Sequence, residues 1–243
     1  MTWAGELLFG DSWAIFRGEA ADNVPHAHAA IQIALAEHGE LTVFSGEGDA
    51  QIGRAFAIRP LVEHSLGAQG VVTLLYVEPQ APLAFRIADI AGDHEIAAFD
   101  PVLLGFTPGR SPEDWSKRLA FIADETTAKV DTRLSQALGS LAAEPGTVSI
   151  AQSAEFCNLS ESRLRTLARE QLGLPLSTWL IWRKLERAAR ALHHGEPLAA
   201  AATVGGFADQ AHLARAMRRM FGITPRTAQR ATTPAQSSRS VQD

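Results

Sequence analysis

VGGFADQAHLARAMRRMFGITPRTAQR, residues 204–230, decides how the rest of the chain is read. Gly205 and Gly206 permit a tight bend, because a residue without Cβ tolerates positive φ. Phe207 follows as an apolar plug. Asp209 is suited to cap a helix, its carboxylate accepting from the free N–H groups of the first turn. From there Leu213, Met217, Met220 and Phe221 recur at helical spacing and define one buried face. Gly222 stops the helix, and Pro225 permits another to begin. The opposite face carries Gln210, His212, Arg215, Arg218 and Arg219. A short helix with an apolar back and Gln and Arg in front suits the DNA major groove. There arginine pairs bidentately with guanine, and glutamine with adenine.

The segments before this stretch repeat its logic. Leu134, Leu138 and Leu141 line one predicted helix, which stops at Pro145-Gly146. Residues 149–157 form the next, with Ile150, Ala154 and Phe156 available for a core. Asn158-Leu159 gives a turn, and Ser160 caps a helix over 160–172. Leu164, Leu167, Ala168 and Leu172 face inward there, while Ser162, Arg163, Arg165, Thr166 and Arg169 face outward. A short helix, a turn and an arginine-bearing helix form a helix-turn-helix unit. Pro175 opens a long helix over 176–193, apolar nearly all round. Residues 198–204 then make the supporting helix of a second unit.

With these residues in place, the chain resembles the AraC family of transcription regulators. The resemblance rests on Gly206-Phe207, on the run Ala211-His212-Leu213-Ala214-Arg215, and on Phe221-Gly222-Ile223-Thr224-Pro225. Leu213, Ala211 and Ala228-Gln229 depart from the family's commoner residues. The resemblance implies two helix-turn-helix units joined by a linker helix and reading adjacent major-groove segments of double-stranded DNA. Mapped by position, it implies base-edge readers at Ser162, Arg165 and Thr166, and at Gln210, His212 and Arg215. Arg163, Arg169, Arg218 and Arg219 are placed for phosphates, which fix register without carrying sequence. It further implies a homodimer, a small-molecule effector and no catalysis, and leaves RNA polymerase open as a partner.

Charge supports the division. The 243 residues carry a net −5, but residues 1–128 hold 7 Lys and Arg against 18 Asp and Glu, a net −11. Residues 129–243 hold 15 against 9, a net +6, which points the back half at phosphates. Hydrophobic residues make up 46% and charged residues 20%, the balance of a globular chain with a core. Cys157 is the only cysteine, so no internal disulfide is expected. Nothing approaches the roughly 20 apolar residues of a membrane span, and no secretory leader is expected. A cytoplasmic protein without membrane attachment is expected.

The front half reads as β-rich. Apolar runs at 7–9, 13–17, 31–36, 41–44, 55–58, 71–77 and 83–87 are separated by glycine and polar residues. Ile31, Ile33 and Leu35 alternate as on a strand. His26, His28, Gln32 and Gly39, followed by Pro60 and His64, resemble the cupin pattern, which implies a cupin-like β-barrel over 1–92. The overall expectation is therefore α+β, a barrel followed by an all-α domain over 129–230. Between them lies a connector, 93–128, with a helix from Ser111-Pro112. Trp115, Leu119 and Ile122 share a face of that helix, suited to dimerisation or to packing on the barrel. A disordered tail is expected over 231–243.

His26, His28, Gln32 and His64 are expected to converge in an apolar cavity beside Ile33, Phe56 and Ile58. There they would meet an organic effector, with no metal or other cofactor. Neutral imidazoles also bind divalent transition metals. A metal-dependent cupin sensor or enzyme with an appended DNA-binding module is therefore the first alternative. A regulator controlled by a protein partner is the second.

Overall fold

The computed structural model describes residues 3–21, 23–67, 70–124, 130–143 and 148–232. The α+β organisation follows the sequence. The strands, however, form two antiparallel sheets and no closed barrel.

The larger sheet contains β1 (Ala4–Phe9), β2 (Trp13–Glu19), β3 (Ile31–Ala36), β6 (Ala55–Ile58), β8 (Val71–Val77) and β9 (Ile96–Ala98), in the order β1-β2-β8-β3-β6-β9. The smaller contains β4 (Leu41–Ser45), β5 (Ala50–Gly53) and β7 (His64–Gly67), in the order β5-β4-β7. Strand β9 pairs with β6, so the sheet continues past residue 92. The run 83–87 is helical, contrary to expectation: it lies within α1 (Pro82–Ala91), where Pro82 occupies the first turn. A short apolar run carries no periodicity that separates strand from helix, and the proline decides it.

Strand β3 is buried on both faces, and period two assigns each residue to a side. Ile31, Ile33 and Leu35 pack with Ile15, Leu75, Ile87 and Trp115. Ala34 and Ala36 pack with Phe16, Leu41, Phe56 and Ile58. Ile33 therefore lies across the sheet from Gln32 and cannot line a cavity with it. The helix from Pro112, α2 (Pro112–Asp124), adds Trp115, Leu119 and Ile122 to the first of these cores. That face is consumed within the chain and is not a free dimerisation seam.

The back half is helical. It contains α3 (Thr132–Ala143), α4 (Ile150–Phe156), α5 (Glu161–Leu172), α6 (Leu176–His193), α7 (Leu198–Gly205), α8 (Gln210–Phe221) and α9 (Pro225–Thr232). Ser160 caps α5 by accepting from the Arg163 N–H at 3.1 Å, and Asp209 caps α8 by accepting from the His212 N–H at 2.7 Å. Gly173, Gly206 and Gly222 end their helices in the left-handed region. Phe156 is 76% exposed and joins no core, because the α4 turn points it outward. Lys129, Pro145-Gly146 and residues 233–243, where most of the expected tail falls, lie outside the described residues.

The two halves are docked. Ala29 and Ala30 enter the helical core beside Leu134, Leu167, Trp179 and Trp182. The Trp179 Nε1–H donates to Gln80 Oε1 at 3.2 Å. Arg183 on α6 pairs with Glu78, which is 4% exposed and whose carboxyl is raised above its ordinary range by burial. Arg190 donates to the Gly10 carbonyl and lies 4.7 Å over the Phe9 ring. Removing one partner of a buried ion pair strands the other. Arg183→Ala should therefore cost about 3 kcal/mol in urea denaturation, while Arg183→Ala with Glu78→Leu should recover part of it. Equal losses in both variants would show that the pair contributes nothing to docking.

Candidate nucleic-acid interface and the buried histidine cluster

The two arginine-bearing helices differ in how free their side chains are. On α5, Arg165 is tied to Glu161 one turn away, with its guanidinium nitrogens at 2.6 and 2.9 Å from the carboxylate. Arg163 pairs with Glu170 at 3.4 Å. The Thr166 hydroxyl donates to the Ser162 carbonyl at 3.0 Å. Ser162 and Arg169 are exposed, whereas Arg165 and Thr166 are half-buried. On α8, Gln210, His212, Arg215, Arg218 and Arg219 are all exposed. Its three arginines form no ion pair with the described residues. Leu213, Met217 and Met220 hold its back against Leu185, Ala188 and Phe207.

Comparison with known proteins is consistent with this geometry. Residues 153–231 match a family model described as a helix-turn-helix domain. This region is an AraC-type DNA-binding domain. No curated protein matches the chain. Among solved structures, an apo variant of ToxT from Vibrio cholerae superposes with a TM-score of 0.59 at 8% identity, over 92% of this chain and 99% of that one. ToxT with a bound unsaturated fatty acid gives 0.58 at 9% identity, over 93% and 98%. ToxT bound to (E)-4-(8-methylnaphthalen-1-yl)but-3-enoic acid gives 0.57 at 10% identity, over 92% and 100%. The likeness in fold thus runs through both halves, the sheets preceding the AraC-type domain as well as the domain itself.

Within the sheets, His26, His28, Gln32 and His64 come together as the sequence suggests, and each is at most 3% exposed. His26 and His28 lie on no strand. His26 instead forms a lone bridge to His64, each N–H donating to the other's carbonyl at 2.9 Å. The three Nδ1 atoms face backbone carbonyls: Val24 at 3.0 Å, Ala30 at 2.8 Å and Val62 at 2.9 Å. A carbonyl only accepts, so each ring carries its proton on Nδ1 and a lone pair on Nε2.

One end of the Gln32 amide lies 2.7 Å from His28 Nε2 and 2.8 Å from His64 Nε2. Two acceptors require a donor between them. Written with Oε1 there, the amide sets acceptor against acceptor. Turned over, its NH2 donates one N–H to each ring and its oxygen faces the Tyr76 hydroxyl, 3.5 Å away. Burial lowers all three imidazoles, His26 to about 4, and the neighbouring rings add to the effect at His26 and His64. The cluster is neutral at physiological pH. His26 Nε2 is buried without a hydrogen-bond partner among the described residues.

Tyr76 is the residue that the sequence reading missed. It sits opposite Gln32 in the pairing of β3 with β8. Its ring lies 5.3 Å from His28, 6.2 Å from Trp182 and 5.6 Å from Phe221. Burial raises its hydroxyl above the ordinary phenol value. Tyr76 also lines a cavity of about 120 Å³ between the halves, walled by Trp3, Leu7, Phe16 and Leu74 on one side and by Trp182, Met217 and Phe221 on the other. The histidines stand behind Tyr76 and do not line this space. The only tyrosine of the chain, pointing to the same face as Gln32 one strand away, was the available signal.

Replacing Gln32 with leucine removes the donor shared by His28 and His64. Two buried acceptors lose their partner at about 1–3 kcal/mol each, so Gln32→Leu should destabilise the protein by roughly 2–6 kcal/mol in urea melts. A loss below about 0.5 kcal/mol would mean that the amide does not bridge the rings.

Proposed function

We propose that the chain is a sequence-specific DNA-binding transcription regulator whose affinity for DNA responds to a small apolar molecule held between its two halves. The observation that carries this reading is the cavity. Its walls include Phe221, at the end of the free arginine helix α8, and Tyr76 of the sheet. A ligand there touches both the domain that meets DNA and the domain that does not. An occupant that binds one arrangement of the halves better than another shifts their equilibrium, as any effector must.

The lining is apolar apart from Glu186, which pairs with Arg183 and Arg190, and two of its aromatic residues, Trp3 and Trp182, have buried Nε1–H groups with no partner among the described residues. The site therefore suits a compact apolar body bearing a hydrogen-bond acceptor. A cavity of about 120 Å³ approaches the roughly 150 Å³ that admits benzene in an engineered protein core. The apolar carboxylic acids bound by ToxT, a protein of similar fold, are consistent with this class. Melting temperature in the presence of small aromatic and short-chain carboxylic acids tests the reading. A binder should raise it, and Ala189→Phe, which fills the cavity wall, should abolish the rise. An undiminished rise in that variant would place the ligand elsewhere.

On the DNA side, the second unit carries the readout, because Arg215 has no intramolecular competitor whereas Arg165 must first leave Glu161. With a site obtained by in vitro selection, Arg215→Ala should weaken specific binding by about 1–3 kcal/mol and leave random DNA nearly unaffected. Arg218→Ala should weaken both alike and flatten the salt dependence. Equal losses on both DNAs for Arg215→Ala would reassign it to the phosphates.

A further inference from the structure

Helix α6 carries more positive charge than its surroundings neutralise. Arg183, Lys184, Arg187 and Arg190 stand on it against one carboxylate of the helix, Glu186, and one from the sheets, Glu78. Arg183 takes Glu78, and Glu186 is shared between Arg183 and Arg190. Arg187 is left over. Its Nε–H and Nη1 groups are buried without a hydrogen-bond partner among the described residues. Burial, and then the neighbouring Arg183 charge, lower its guanidinium from the ordinary arginine value. A charge held in this way is costly unless an ion of opposite sign joins it.

Arg187 lines a cavity of about 300 Å³ with Arg183 and Lys184, and this cavity lies between the two helix-turn-helix units. Ser149, which caps α4, comes from the first unit, and Gly206, which ends α7, from the second. The Lys184 ammonium donates to the Gly206 carbonyl at 2.9 Å and keeps two further N–H donors. Gly206 in turn precedes Gln210, the first residue of α8, by a single turn of chain. In a helix-turn-helix unit the supporting helix crosses the nucleic-acid backbone while the next helix enters the groove. The start of α4 and the turn before α8 are therefore the parts of each unit that stand beside phosphates.

We propose that Arg187 and Lys184 hold one phosphate group in this cavity, and that the phosphate fixes the spacing of the two units. The favoured source, a backbone phosphate between two major-groove segments, rests on the DNA-binding reading above. A free phosphate offers the same chemistry. A guanidinium with unpartnered N–H groups and an ammonium with two N–H groups to spare suit an oxyanion, through charge-assisted hydrogen bonds. The anion gives Arg187 the partner that Glu186 cannot, since Arg183 and Arg190 already hold that carboxylate. An occupant that touches α4, α6 and the turn before α8 holds both units in one arrangement.

Fluorescence anisotropy with the full-length protein tests the site. Arg187→Met should weaken binding to a selected site and to random duplex alike, by about three- to tenfold, and lower the slope of log affinity against log salt by about one. Ethylating the phosphate between the two groove segments should weaken the wild type and leave Arg187→Met unchanged. Arg187→Met should melt no lower than wild type, because Arg187 has no hydrogen-bond partner to lose among the described residues. A fall beyond about 5 °C would make the residue structural and overturn the site. Lys184→Gln repeats the DNA measurements if the methionine variant does not fold. Calorimetric titration of inorganic phosphate at fixed ionic strength, without DNA, separates the two sources. Heat in the wild type that Arg187→Met abolishes, beside unchanged DNA affinity, keeps the site and assigns it to free phosphate. Unchanged DNA affinity with no such heat overturns it, and a loss in Arg215→Ala on the same DNA would then leave the DNA-binding reading standing. If the wild type binds no duplex, that reading fails and the phosphate titration alone decides the site.

Discussion

The contact on which the rest of the structure depends is the close approach of Gly222 to the strap formed by residues 23–27. At φ +67 the glycine ends α8 in the left-handed region, and a Cβ there would lie 2.5 Å from the Val24 carbonyl. Only a residue without a side chain satisfies both demands. That approach lets the strap reach the Arg219 and Gly222 carbonyls, orphans of the helix end, and supply their hydrogen bonds. It also brings Phe221 onto Tyr76 and Trp182, closing one wall of the interdomain cavity. The seating of α8, the cavity and the position of His26 all depend on the absence of a side chain at Gly222.

The polar groups across the interface are few and buried, and that gives the docking its orientation. Glu78 and Arg183 sit in surroundings that penalise an unpaired charge, and Trp179 and Gln80 satisfy each other. Apolar contacts such as Ala29 and Ala30 against Trp179 and Trp182 favour association without fixing its angle. Buried polar pairs lose their partners when the halves shift, so they discriminate among docked arrangements. A ligand or ion that acts at this interface works against a small number of identifiable bonds.

The histidine cluster is neutral because burial outweighs every hydrogen bond that favours protonation. Its chemistry is therefore that of three lone pairs, not that of a charged patch. This property separates it from the cavity beside it. The cavity is apolar and accepts shape. The cluster offers directed nitrogen donors. Tyr76 stands between them and touches both, with its ring on Phe221 and His28 and its hydroxyl on Gln32.

The helical half was legible from residues 149–230 alone because its signals are local. Ser160 and Asp209 cap helices, Gly173 and Gly222 end them, and apolar residues recur at helical spacing, each within a few positions of its effect. The histidine spacing likewise announced that His26, His28, Gln32 and His64 belong together. What the sequence did not hold was how the pieces meet. Residues 83–87 turned into a helix because Pro82 outweighs an ambiguous apolar run, and the strands split into two sheets instead of closing. Ile33 was assigned to the Gln32 side, although strand alternation puts it on the opposite face. The pairing of Glu78 with Arg183, and the cavity walled by Tyr76 and Phe221, join residues whose relation exists only after docking. Caps and periodicity act through the backbone over one turn. Buried pairs and cavities arise between surfaces far apart in the chain, and only the tertiary structure brings those surfaces together.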